Sequence, residues 1–333
     1  MPRIREIPED FVVEELPAFE PSGEGPFAWL WVEKRLANTD EVAGQLARAL
    51  GLAAKHVGWA GRKDRRAVTR QWFSVPAADA DIARLELVDA EILRSTRHHH
   101  RLRPGDLRGN RFVLRVRDLD AAQAKAAALR LDGVLARGLP NRFGPQRYGR
   151  DGRNAERGLA ILRAERAVGE RRRARLMLSA LQSAVFDRVL AARLDTLDAV
   201  WDGDVVEVHA TGEQRWARGD ADDQDRAERF DVSPTGLIFG TKVKATRGPM
   251  REIEEAAMRA EGLDPRTIEP PRGLRLPGAR RPLRVRPSNA SLQLDPSGAS
   301  ATLHVDLPAG VYATTLLAQL FPDGIDEGPS GTD

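Results

Sequence analysis

Residues 58–75 constrain the fold more than any other stretch of this chain. Gly58, Trp59, Ala60 and Gly61 lead into a run of charges, and Ala67 to Val75 is a β-branched and aromatic run. That pattern reads as strand, loop and strand. It leaves Asp64 on the loop, where two rigid elements display a reactive side chain. Asp64 sits among five cations, Arg62, Lys63, Arg65, Arg66 and Arg70. Positive neighbours favour an ionised carboxylate. Such an anion has two uses: it ties the basic cluster together as an ion pair, or it acts as a nucleophile beside a polyanionic substrate.

Around that stretch the chain reads as mixed structure. Residues 1–36 are strands and turns, with an alternating apolar run over 27–34. Asn38 with Glu41 forms a capping box, Val42, Leu46 and Leu50 line one helix face, and Gly51 ends it. The pattern predicts a strand over 85–93, a basic turn over 94–108 and a strand over 112–117. An Ala-rich helix over 120–137 should break at Gly133. A loop over 138–152 precedes a helix over 154–165. A long helix over 174–194 carries Leu178, Leu181, Val185 and Val189 on a core face. Later come a helix over 250–261, strands over 283–286 and 302–307, and a helix from Tyr312.

Charge is unevenly spread. The net charge is only +3, but residues 94–117 hold eight Arg against one acid, and 141–175 hold eleven against four. Residues 195–231 reverse this, with twelve acids and four Arg. The Arg-rich segments suit phosphates, and the acidic one does not. There are no cysteines, which excludes disulfides, thiolate nucleophiles and thiolate zinc sites. No apolar run is long enough to span a bilayer, and no signal peptide opens the chain, so a soluble cytoplasmic protein is expected. His98, His99 and His100 invite a metal reading. Consecutive strand residues point to opposite faces, so these suit a basic, phosphate-facing surface better than joint chelation. No metal is expected.

Ala60-Gly61-Arg62-Lys63-Asp64 with Ala67, Thr69 and Gln71 resembles the signature of the tRNA pseudouridine synthase D family, whose members isomerise uridine 13 of tRNA. Further segments are similar in the same order. They are Pro8 to Glu15, Asn141-Arg142-Phe143-Gly144-Pro145-Gln146-Arg147-Tyr148-Gly149, Leu178 to Phe186, Ser233-Pro234-Thr235-Gly236 and Leu307 to Thr314. The resemblance implies that Asp64 is the nucleophile, toward ribose C1′ or the uracil ring. It implies that Phe143 is a stacking platform for a flipped base, that Phe11 and Tyr312 contact substrate, and that Asn141 binds the uracil edge or positions Asp64. Lys63 would steady Asp64 or meet a phosphate, and Arg5 stands where the family often has Lys. Arg62, Arg65, Arg66, Arg101, Arg103, Arg108, Arg147 and Arg150 are the expected phosphate contacts. The isomerisation moves one bond within the substrate and demands no cofactor.

The fold class implied is α+β: a mixed, largely antiparallel sheet with flanking helices, plus an inserted α/β module. Residues 1–166 and 281–320 are expected to form the catalytic domain, 167–280 the inserted module and 321–333 a flexible tail. RNA would lie between domain and module, with 163–175 on the RNA side. The partner is tRNA, and the chain is expected to be a monomer. Two rival readings stand beside this one: a tRNA-binding or chaperone protein without turnover, and a synthase acting on another RNA.

Overall fold

The computed structural model describes residues 1–165, 170–270, 273–296 and 298–326. The chain divides into two compact units, 1–132 with 287–333, and 133–286. Residues 133–165 and 281–286, expected with the catalytic domain, fall instead in the second unit with the inserted segment.

Among the described residues, the first unit is built on an eight-stranded mixed sheet. Its order is Ser288–Leu294, Ser300–Pro308, Leu107–Arg117, Phe11–Pro17, Val68–Val75, Phe27–Arg35 and Ala90–His98, and Gly58–Trp59 pairs beside Val68–Val75. Phe11–Pro17 and Val68–Val75 run parallel, while their other neighbours are antiparallel. Alternation sets the faces. Ala28, Leu30 and Val32 pack with Phe73 and Val75 beneath the helix Thr39–Ala49, which contributes Val42 and Leu46. That helix opens as its sequence predicts, with the Asn38 amide donating to Glu41 at 2.7 Å. Trp29 and Trp72 point the other way into a second cluster with Leu102.

Three expectations change here. The strand expected over 85–93 is Ala90–His98, because antiparallel pairing with Phe27–Lys34 outweighs the local pattern. Of the three histidines, only His98 lies in that strand. The helix Ala121–Arg137 runs through Gly133 unbroken. In the expected tail, Phe321 is buried, and Asp326 exchanges backbone hydrogen bonds with Pro2 and Ile4. Residues 327–333 lie outside the described ones.

In the second unit the 22-residue helix Arg171–Ala192 is the spine. Leu178, Leu181, Val185 and Val189 are buried as their spacing predicts, together with Met250, Met258 and Phe239. The helix Asn154–Leu162 lies against it through Gly158, where a β-carbon would meet the Met177 carbonyl at 2.3 Å. A four-stranded sheet, ordered Ala279–Pro282, Val232–Ile238, Val205–Val208 and Gln214–Trp216, packs on the same spine. The core also holds Arg193 against Asp204 at 3.1 Å, both side chains out of water.

Candidate active site

The loop that carries Asp64 is braced from beneath at several points. Gln71 donates to the Gly61 carbonyl at 3.0 Å, and Thr39 accepts the Lys63 amide at 3.0 Å while donating to Gln71 at 2.8 Å. Lys34 donates to the Asp64 carbonyl at 2.9 Å and to the Ala37 carbonyl at 2.7 Å. Gly58 permits the close approach at the loop's root, since a β-carbon there would meet the Leu102 carbonyl at 2.4 Å. Lys34, Thr39 and Gln71 are buried. Each such bond, if left unmade in the core, costs about 1–3 kcal/mol.

The Asp64 side chain is free of that bracing. It is 44% exposed, and its ion-pair partner is Arg5 at 3.6 Å. A half-exposed pair of this length contributes about 1 kcal/mol or less, so the backbone is fixed while the carboxylate stays accessible. Arg5 has φ 60°, a left-handed conformation that costs a non-glycine residue roughly 1–2 kcal/mol. It lays its guanidinium 3.9 Å from the Phe11 ring centroid.

The cations beside Asp64 in sequence are engaged elsewhere. Arg62 pairs with Asp40 at 2.9 Å, Arg70 with Glu33 at 2.8 Å, and Arg65 donates to the Leu36 carbonyl at 3.2 Å. Lys63 turns inward to Glu15 at 2.6 Å, with side-chain exposures of 3% and 0%. It therefore braces the loop from the core and is not presented to a phosphate. Burial pushes the Glu15 carboxyl up, against the pull of Lys63. Phe11 is 1% exposed, with its ring against Phe112 and under Arg5, so it supports Arg5 rather than offering a face to a base. Tyr312 is 37% exposed at the start of the helix Ala313–Leu320. Arg101, Arg103 and Arg108 are exposed, and Arg101 donates to the Lys55 carbonyl; Arg66 is half-buried.

In the second unit, Asn141, Phe143, Arg147 and Tyr148 share one loop. Asp187, on the long helix, holds it by accepting the Phe143 amide at 3.2 Å and the Tyr148 hydroxyl at 2.5 Å. Burial and this contact push the Tyr148 phenol well above its ordinary value, which keeps it a donor. Asn141 is buried; its amide donates to the Pro282 carbonyl at 2.9 Å, and its oxygen accepts from Arg281. Arg281 and Arg147 lie 4.3 and 4.9 Å from the Phe143 ring centroid, and Phe186 meets that ring edge-on. A cavity of about 430 Å³ is lined by Phe143, Arg147, Ser179, Gln182, Ser183 and Arg281, among others. Its cationic and aromatic walls suit a nucleotide. Arg150 is exposed on the same loop.

Sequence reasoning missed Arg281 and Lys34. Nothing local separates Arg281 from Arg280. Lys34 left a signal, because it falls on the inward phase of the strand that buries Ala28, Leu30 and Val32. The histidines do not converge: ring centroids are 5.9 to 6.4 Å apart, and His98 Nδ1 accepts the Ser22 amide at 3.1 Å.

Among the described residues, no helix is long and apolar enough to cross a membrane. The family model for tRNA pseudouridine synthase D matches residues 2–169 and 163–320. A tRNA pseudouridine synthase D of Anaeromyxobacter sp. (strain Fw109-5) is 43% identical, covering 97% of this chain and 93% of the relative. One from Geobacter metallireducens is 36% identical, covering 96% and 95%. The crystal structure of a putative tRNA pseudouridine synthase D from Methanosarcina mazei has the same fold, with a TM-score of 0.75 at 22% identity over 96% of this chain and 93% of that one. The chain belongs to the tRNA pseudouridine synthase D family.

Proposed function

We infer that this chain, a tRNA pseudouridine synthase by family, isomerises uridine 13 of tRNA with Asp64 as the nucleophile. The observation that carries the reading is an accessible carboxylate on a loop whose backbone is fixed by buried partners. Rigid backbone with an unencumbered reactive group is what a nucleophile needs.

The reaction breaks the bond between uracil N1 and ribose C1′, turns the base and rejoins it through C5. The C5 proton leaves as the N1 proton is gained, so the atoms balance within the substrate. Asp64 would attack C1′ or the ring, and Arg5 would hold the carboxylate until the base arrives. Exposing the base costs a few kcal/mol. Stacking recovers about 1–3 kcal/mol per base, and we assign it to Phe143 with the guanidinium of Arg281 that Asn141 orients. Tyr312 contacts the substrate, and Phe11 acts through Arg5. Arg62, Arg65, Arg66, Arg101, Arg103, Arg108, Arg147 and Arg150 meet phosphates. The chain works as a cytoplasmic monomer.

The test is to incubate the purified chain with an unmodified tRNA transcript and map the products. Pseudouridine at position 13 supports the reading. Conversion at another site refutes the assigned target, and no conversion favours a binding protein without turnover.

A further inference from the structure

The first half of the helix Arg171–Ala192 carries Arg171, Arg172, Arg173 and Arg175, all exposed. Several other arginines of this unit have carboxylates. Arg157 meets Asp151 at 2.5 Å, Arg188 meets Glu261, and Arg251 and Arg259 flank Glu255 at 2.9 and 2.7 Å. Among the described residues, none of the four helix arginines has an ion pair or a side-chain hydrogen bond, and the first turn holds no acid. Glu170, the residue before the helix, pairs with none of them. Positive charge at this end opposes the helix dipole. Four unpaired guanidinium groups are therefore an arrangement that folding alone does not favour.

Their positions continue into the cavity already described. Arg171, Arg175, Ser179 and Ser183 recur every four residues and so form one continuous ridge, winding through about 120° of the helix. Ser179 and Ser183 line the cavity, with Gln182 beside them. Arg147 donates to the Ser179 hydroxyl at 3.2 Å, which carries the cationic stripe from the helix to the Phe143 loop. From Arg171 to Ser183 the helix rises about 18 Å, long enough for several phosphates of one strand. Arg172 widens the stripe on the same side.

We propose that Arg171, Arg172 and Arg175 form a docking track for an RNA sugar–phosphate backbone that ends at the cavity lined by Arg147 and Arg281. The ligand is recognised as a polyanion, by charge and spacing rather than by base. The inference rests on tRNA being the substrate but not on the role of Asp64.

The experiment uses the full chain with Arg171, Arg172 and Arg175 all changed to Gln. The dissociation constant for tRNA is measured from 50 to 300 mM salt, beside Arg188→Gln/Arg251→Gln/Arg259→Gln as a charge-matched control. Each lost phosphate contact should lower the slope of log affinity against log salt by about 0.7–0.9. The track variant should lose about two to three units of slope and bind roughly 10- to 100-fold more weakly at the lowest salt. Its melting temperature should equal or exceed that of the parent, because charges opposing the dipole are gone. The control should keep the parental slope. An unchanged slope in the track variant, or an equal loss in the control, overturns the proposal. Product mapping with the parental chain tests the synthase reading separately, so either can fail alone.

Discussion

The Lys63 ammonium lies 2.6 Å from the Glu15 carboxylate with both side chains out of water, one residue before Asp64. Glu15 also accepts the Trp72 amide at 3.3 Å, so the pair joins the Asp64 loop to the strands Phe11–Pro17 and Val68–Val75. Breaking a buried pair from one side strands a charge and costs about 3–5 kcal/mol, whereas replacing both partners with apolar groups costs far less. We predict that Lys63→Met lowers the urea unfolding free energy by that amount. Glu15→Leu/Lys63→Met should recover most of it. A double variant as unstable as the single one would show that the pair is not what holds the loop.

Lys34 reaches the Asp64 carbonyl from the core. Lys34→Met leaves that carbonyl and the Ala37 carbonyl without this donor, and we predict about 2–6 kcal/mol lost at roughly 1–3 per group. Because Asp64 loses its backbone anchor, turnover at saturating tRNA should fall at least tenfold at a temperature where the variant is folded. The Michaelis constant should stay within threefold. Destabilisation with normal turnover would limit Lys34 to a structural role.

His98 supplies a pH dependence. Burial, then His100 and His99, hold its imidazole below the ordinary value. Its Nδ1 is occupied by the Ser22 amide, so protonation breaks that bond. A value depressed by folding means stability is present above the unfolded value, about 6.5, and drains away as pH falls through the folded one. The melting temperature should drop between pH 7.5 and 5, and His98→Gln should flatten the drop. An equal drop in the variant would assign it to other groups.

Arg281 links the Asn141 carboxamide to the Phe143 ring. Arg281→Lys keeps the charge but loses the planar fork, and we predict a loss of turnover about as large as in Arg281→Ala, near tenfold or more. Full activity in the lysine variant would mean that charge alone is used.

The elements legible in the sequence were those whose cause is local. The Asn38–Glu41 cap, the buried stripe of the long helix and the loop under Asp64 follow from spacing within a few residues. What was not legible depends on partners far apart in the chain. Asp64 has Arg5 as its cation because carboxylates on neighbouring elements take Arg62, Lys63 and Arg70, and no local pattern encodes that sorting. The strand Ala90–His98 begins and ends where Phe27–Arg35 pairs with it, not where its own residues change character. Arg281 gains its role only because the fold brings it under Asn141. Lys34 is the instructive case: alternation pointed it inward, but not at which carbonyl it would meet.

We propose above all that Asp64 forms the covalent bond that starts the isomerisation. The direct measurement is single-turnover pseudouridine formation by Asp64→Asn, with tRNA affinity determined on the same preparation. We predict a rate lower by more than about 1,000-fold and a dissociation constant within threefold of the parent. Pseudouridine formed at a rate near the parental one would contradict it.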